Sequence, residues 1–231
     1  MSSFRFKQFT VEHSASTMKV GTDAVLLGAW CRVLGAGRVL DVGTGCGVIA
    51  LMVAQRAPMA IVDAIDIDAD SVAEAQRNFN ASLWSDRLHA VAADYNKWVG
   101  EYDLMVSNPP FFVDALLPPD EVRAQARHAQ SLTYEQLFAR ARSLLTPDGR
   151  LAFVTPVEVR SMVIEQAAFH AMHLARQCEV TPVEGKGVKR LLWEFSASPA
   201  SLCREALVIA DAHGCYTGAY RDLCRDFYLK F

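Results

Sequence analysis

The sequence has no cysteine framework. Its six cysteines, Cys31, Cys46, Cys178, Cys203, Cys215 and Cys224, include no C-x-x-C pair and have no histidine cluster beside them. This pattern excludes a disulfide scaffold or structural zinc site and predicts reduced thiols and no metal. Excess positive charge is missing too: 23 Lys and Arg stand against 26 Asp and Glu, giving a net charge of -3. Attachment to nucleic acid by a global field is thereby excluded, so RNA or DNA must be met by a local patch. No apolar run approaches the roughly 20 residues of a membrane helix. Met1-Ser2-Ser3-Phe4-Arg5-Phe6-Lys7 carries no apolar core of a signal peptide. There is no internal repeat and no low-complexity tract. The expectation is a cytoplasmic protein without membrane contact, with a monomer favoured.

What is present suits one α/β domain. The 231 residues are 52% hydrophobic, enough for a sizeable core. Strand-like runs at Val39–Val42, Ala60–Ile67, Leu88–Ala92, Tyr102–Val106 and Leu151–Thr155 alternate with helix-like segments at Val48–Arg56, Asp70–Phe79, Tyr134–Leu145 and Val157–Leu174. That alternation predicts a doubly wound, Rossmann-like, mostly parallel sheet of seven strands with helices on both faces. Gln177–Thr181 and Leu191–Phe195, joined by Gly185-Lys186-Gly187, form a final antiparallel pair. The expected layout is an extension over 1–30, a core over 31–200 and a terminal strand and helix over 201–231. The extension holds an extended stretch from Phe4 to Val20 and a helix from Thr22, its N-cap, to Trp30. In the terminal part, Ala206–Ala210 reads as one more strand. Tyr220, Leu223, Cys224, Phe227 and Tyr228 make one apolar helical stripe, which predicts packing.

Two motifs carry chemistry. The first, Asp41-Val42-Gly43-Thr44-Gly45-Cys46-Gly47, follows a strand and opens a helix. Glycines permit a tight turn and close approach of a ligand. The dinucleotide fingerprint G-x-G-x-x-G fails, because Val48 stands at its third glycine. Downstream, the second strand ends in Ile65-Asp66-Ile67-Asp68, where Asp66 can accept hydrogen bonds from both hydroxyls of a ribose. Asp68 reads as a helix-capping or solvated acid. The third strand ends at Asp94, for which a surface acid in a loop is an open alternative.

The second motif is Ser107-Asn108-Pro109-Pro110-Phe111-Phe112. Successive prolines fix φ and remove two donors, turning the chain at the strand edge where open α/β sheets bind ligands. An exocyclic amine on a conjugated ring is a poor nucleophile. The Asn108 side-chain oxygen and the Pro109 carbonyl are two acceptors for its hydrogens, leaving its lone pair free for an electrophile. Phe111 can stack on an unpaired base, and Phe112 supports that stack or packs in the core.

The glycine loop resembles that of class I S-adenosylmethionine-dependent methyltransferases. The second motif resembles the (Asn/Asp)-Pro-Pro-(Tyr/Phe/Trp) signature of amino-methyltransferases. Tyr is commonest at the aromatic place, so Phe111 keeps stacking and loses a phenol. Phe6-Lys7-Gln8-Phe9, Met18-Lys19-Val20-Gly21-Thr22-Asp23, Leu27-Gly28-Ala29-Trp30 and Tyr216–Phe231 are further similar to the bacterial tRNA1(Val) adenine methyltransferase family. This resemblance implies methyl transfer from S-adenosylmethionine to the exocyclic amine of adenosine 37 in a tRNA anticodon loop. It implies Asn108, Pro109, Pro110 and Phe111 as catalytic residues. It implies cofactor contacts from Asp41, Gly43, Thr44, Gly45, Gly47, Asp66 and Ile67. Asp94 would receive the adenine amino group, and Lys19 and Thr22 match an N-terminal segment near the cofactor. Candidate RNA contacts are Phe112, Arg123, Arg127, Lys186, Lys189 and Arg190, with His128 beside the second pair. A protein-glutamine methyltransferase, a DNA adenine methyltransferase and a non-enzymatic RNA-binding module are the alternatives. The first needs a helical domain before Asp41, the second a target-recognition domain, and the third leaves Asn108-Pro109-Pro110 unexplained.

Overall fold

The computed structural model describes residues 2–13, 19–108 and 132–231. Ser2–Arg5 (β1) and Thr10–His13 (β2) form an antiparallel hairpin, followed by helix α1, Thr22–Trp30. The central sheet then builds from β3 (Arg38–Val42), β4 (Ile61–Asp66), β5 (Leu88–Ala92) and β6 (Tyr102–Ser107). It continues with β7 (Leu145–Pro156), β8 (His173–Val183), β9 (Arg190–Ser196) and β10 (Cys203–Ala210). The remaining helices are α2 (Val48–Arg56), α3 (Ala69–Asn80), α4 (Tyr134–Leu144), α5 (Arg160–Phe169) and α6 (Gly218–Cys224). The strand order is β10-β8-β9-β7-β6-β3-β4-β5. Among the described strands of this sheet only β9 runs antiparallel, pairing with β7 on one side and β8 on the other.

Central strands are covered on both faces and so read as mainly apolar runs. Successive side chains nevertheless alternate between two cores, as the pleat requires. Val39, Leu104 and Val106 join one core with α1, α2 and α3, while Leu40, Met105 and Leu151 join another beneath α4 and α5. The hairpin adds an aromatic group to the first core: Phe6 stacks on Phe9 and Tyr228. Lys7 ties the hairpin to the far end of the chain. Its ammonium donates to the carbonyls of Arg225 at 2.6 Å and Phe231 at 2.8 Å.

Several expectations are revised. The sheet has eight strands, because β10 adds in parallel beside β8. Gly21, not Thr22, caps α1, and it supplies no side-chain bond. The long helix expected to Leu174 stops at Phe169: Ala171 adopts a positive φ of 52° and β8 begins at His173. Residues 146–149, between the helix expected to Leu145 and the strand expected from Leu151, lie inside β7, where pairing with β6 jumps from Leu145 to Arg150. Asp68 caps α3 through the backbone N–H groups of Asp70 and Ser71, as its position predicts. The C-terminal stripe packs: Tyr220, Cys224 and Phe227 are buried in the first core.

Candidate active site

The carboxyl ends of β3, β4, β5 and β6 meet along one edge of the sheet, where open α/β sheets bind ligands. The glycine loop leaves β3 here. Gly43 and Thr44 donate their N–H groups to the Ile65 carbonyl at 2.9 and 3.0 Å, so the loop is stitched to the end of β4. Gly43, Gly45 and Gly47 all have positive φ, at 71°, 54° and 81°. A Cβ on Gly43 or Gly45 would meet nothing within 4 Å, whereas one on Gly47 would stand 2.8 Å from Phe79 Cζ. The loop therefore presents an open backbone face at its first two glycines and is clamped by α3 at its third.

The acids are arranged around this loop. Asp66 accepts the Gly45 N–H at 2.9 Å through Oδ2 and the Asp68 N–H at 3.0 Å through Oδ1. Each carboxylate oxygen has a further lone pair, so the half-buried Asp66 still has capacity for hydroxyl donors. Ile67 projects beside it, 57% exposed. The Ala93 N–H donates to the Asp66 carbonyl, which fixes the end of β5 against the end of β4. Asp94 accepts from the Asn96 N–H at 2.9 Å, and Lys97 stands 3.4 Å from its other oxygen. The Asn96 N–H, foremost, and then Lys97 hold the Asp94 carboxyl below its usual range.

Asp41 lies beneath the loop with no exposure. Its Oδ2 accepts the Thr44 hydroxyl at 2.7 Å, while Oδ1 has no hydrogen-bond partner among the described residues. Burial pushes the carboxyl up to about 7, opposed by the Thr44 bond and then by the Ala50 N–H, and assisted by the charge of Asp66. Asp41 and Thr44, both expected at the cofactor, thus face each other below the loop. The open backbone face at Gly43 and Gly45 suits close approach of a ligand.

Asn108 follows β6 directly and is half-buried. Its neighbour Ser107 is fully buried and donates its hydroxyl to the Val42 carbonyl at 2.7 Å. The motif asparagine is thereby anchored beside the strand that launches the glycine loop. The motif reading gave Ser107 no role of its own, although a serine closing the apolar run Leu104-Met105-Val106 is a readable signal. Pro109, Pro110, Phe111, Phe112, Arg123 and Arg127 lie outside the described residues.

Lys19 and Thr22 are exposed near the start of α1. The next residue, Asp23, pairs with Arg190 at 2.8 Å, which brings the start of α1 to the same sheet edge, where Arg190 opens β9 opposite Pro156, the end of β7. Lys186 and Lys189 are exposed on the β8–β9 turn at this edge. Of the three cations expected to meet RNA here, Arg190 is already engaged by Asp23, a partner 167 positions away.

Comparison with known proteins agrees with this geometry. The methyltransferase small domain family matches residues 11–179. A tRNA1(Val) (adenine(37)-N6)-methyltransferase of Bacteroides thetaiotaomicron is 42% identical over 229 residues, covering 98% of this chain and 97% of that one. The protein of the same name from Tolumonas auensis is 40% identical, covering 99% and 97%. Among solved structures, one described as a predicted O-methyltransferase from Agrobacterium tumefaciens superposes with a TM-score of 0.69 at 18% identity, covering 89% and 96%. A methyltransferase from Pyrococcus furiosus gives 0.60 at 19% identity, covering 82% and 89%. These two share the fold. With the near full-length relatives and the matched domain, the chain belongs to the methyltransferase small domain family and, within it, to the family of tRNA1(Val) (adenine(37)-N6)-methyltransferases.

Proposed function

We propose that this enzyme transfers a methyl group from S-adenosylmethionine to N6 of adenosine 37 in tRNA1(Val). The observation that carries the reading is the placement of Asn108. It stands at the end of β6, tethered through Ser107 to β3 and hence to the glycine loop. The family supplies the substrate.

Asp66 would accept the ribose hydroxyls of the cofactor, Ile67 would lie against its adenine, and Asp94 would accept the adenine amino group. Gly43 and Gly45 would offer the backbone face, with Asp41 below them and Lys19 and Thr22 closing the approach. When bound, S-adenosylmethionine would supply an electrophilic methyl carbon for N6, with the sulfur of S-adenosylhomocysteine leaving with the C–S bonding pair. Asn108 Oδ1 would accept one N6 hydrogen and the Pro109 carbonyl the other, which pyramidalises the nitrogen and aims its lone pair. The surplus proton is acidic once N6 is alkylated, so it passes to water without a strong base. Phe111 would stack on the flipped base, with Phe112 supporting that stack. Lys186 and Lys189 are the accessible cations of the β8–β9 turn and would meet the anticodon-stem phosphates, with Arg123 and Arg127 as a second group.

Incubation with methyl-labelled S-adenosylmethionine and tRNA from a strain lacking the enzyme, followed by digestion to nucleosides, tests the reading. The expected label is in N6-methyladenosine from position 37. Label in glutamine of a protein substrate, with none in tRNA, would transfer the enzyme to protein methylation.

A further inference from the structure

Asn78 is a polar residue on the buried stripe of α3, beside Ala75 and Phe79, and is 3% exposed. Among the described residues its amide makes three hydrogen bonds, all outside its own helix. Oδ1 accepts from the Glu12 N–H at 2.9 Å, and Nδ2 donates to the Glu12 carbonyl at 2.9 Å and to the Cys46 carbonyl at 2.8 Å. The first two bonds imitate an adjoining strand along β2. The third fixes the peptide that enters Gly47, the glycine clamped by the next residue of α3, Phe79. The orientation of the amide follows from this network, because a flipped side chain would set an oxygen against two carbonyls. Beyond β2, the Val20 N–H donates to Nδ1 of the buried His13 at 3.4 Å, and Val20 sits between Lys19 and the start of α1.

We infer that Asn78 is a positioning residue that couples the N-terminal segment to the cofactor loop. One amide holds both, so the loop conformation that receives S-adenosylmethionine and the position of β2 are set together. The inference rests on the cofactor reading given above. A side chain that merely packed would need none of these bonds, and a buried amide without them would destabilise the fold. Ligand binding at Gly43–Gly47 should therefore be felt at β2, and loss of the amide should be felt at the loop.

Two measurements test this. In the parent protein, S-adenosylmethionine should slow hydrogen exchange of the Glu12 amide at least threefold, since that N–H is bonded to Asn78 itself. In Asn78→Ala, and in Asn78→Ser as a smaller perturbation, calorimetry on folded protein should show cofactor affinity weakened tenfold or more. Lys7→Met is the control: it loosens the same hairpin at its other tie and should lower the melting temperature while leaving affinity within twofold. Parent-like affinity in either folded Asn78 variant, or no cofactor-dependent change at Glu12, overturns the coupling alone. Absence of cofactor binding to the parent overturns the cofactor reading and the coupling with it.

Discussion

Replacing Asp41 by Asn should make the folded protein less sensitive to pH. The carboxyl is fully buried, and one of its oxygens has no hydrogen-bond partner among the described residues. Unfolded, it ionises near its ordinary value of 3.8; folded, burial raises it to about 7. Between those values the unfolded chain has lost its proton while the folded protein retains it. Stability therefore falls as pH rises through that window and levels off above pH 7. At 1.36 kcal/mol per pKa unit the full effect is at most about 4 kcal/mol, and about 2.5 kcal/mol of it falls between pH 5 and pH 8. Asparagine keeps an acceptor for the Thr44 hydroxyl and carries no charge at any pH. Urea unfolding of both proteins, followed by circular dichroism at pH 5 and pH 8, gives the comparison, because contributions from all other groups cancel in the difference. The variant should gain on the parent by about 2.5 kcal/mol across that interval. A gap that stays constant between the two pH values would show that Asp41 is ionised at little cost in the folded state, and the account of its burial would be wrong.

Asn108→Ala should bind S-adenosylmethionine with near-parent affinity yet methylate tRNA about 100-fold more slowly or worse, as for loss of one placed electrostatic partner; near-normal single-turnover rates would remove Asn108 from the chemistry. Gly47→Ala should lose about 2–4 kcal/mol in chemical denaturation, from the positive φ and the clash with Phe79, and Phe79→Leu in the same chain should recover part of it. Asp66→Asn keeps the shape but discards the charge; calorimetry should show weaker cofactor binding by about 1.5–3 kcal/mol, and unchanged affinity would place the ribose contact elsewhere. Reversing Lys186 and Lys189 to Glu should weaken tRNA binding and flatten its salt dependence by about 0.7–0.9 log units per lost phosphate contact. Arg190 is best left alone in that experiment, since its reversal would also break the pair with Asp23 at the start of α1.

Features with local causes were legible in the sequence. The helix after the glycine loop spans Val48–Arg56 as its pattern predicts, and Asp68 caps α3 from the position its side chain dictates. The β8–β9 pair turns at Gly185, which has a φ of 77°. The overlong helix failed because Ala171, Met172 and Leu174 continue an apolar pattern that suits either period, and sheet pairing decided for β8. Thr22 looked like a cap by residue type, but Gly21 occupies the extended backbone position before the helix. At the site, the glycine loop, Asp66 and Asn108 announce themselves by motif. Asn78 and the Asp23–Arg190 pair do not, because their partners lie far along the chain and no short window contains both halves of the interaction.

The tie made by Lys7 bears on how the protein comes off the ribosome. The ammonium that secures the hairpin bonds carbonyls 218 and 224 positions further along, so these two partners are synthesised long after the hairpin. Contacts of such sequence separation are slow to close and leave early segments exposed while they wait. The waiting segment here displays Phe4, Phe6 and Phe9, aromatic surface that Tyr228 helps to cover in the finished fold. The nascent chain therefore carries Phe4 and Phe6 incompletely covered until Tyr228 has been made, and products stalled before that point should be the aggregation-prone species of this enzyme.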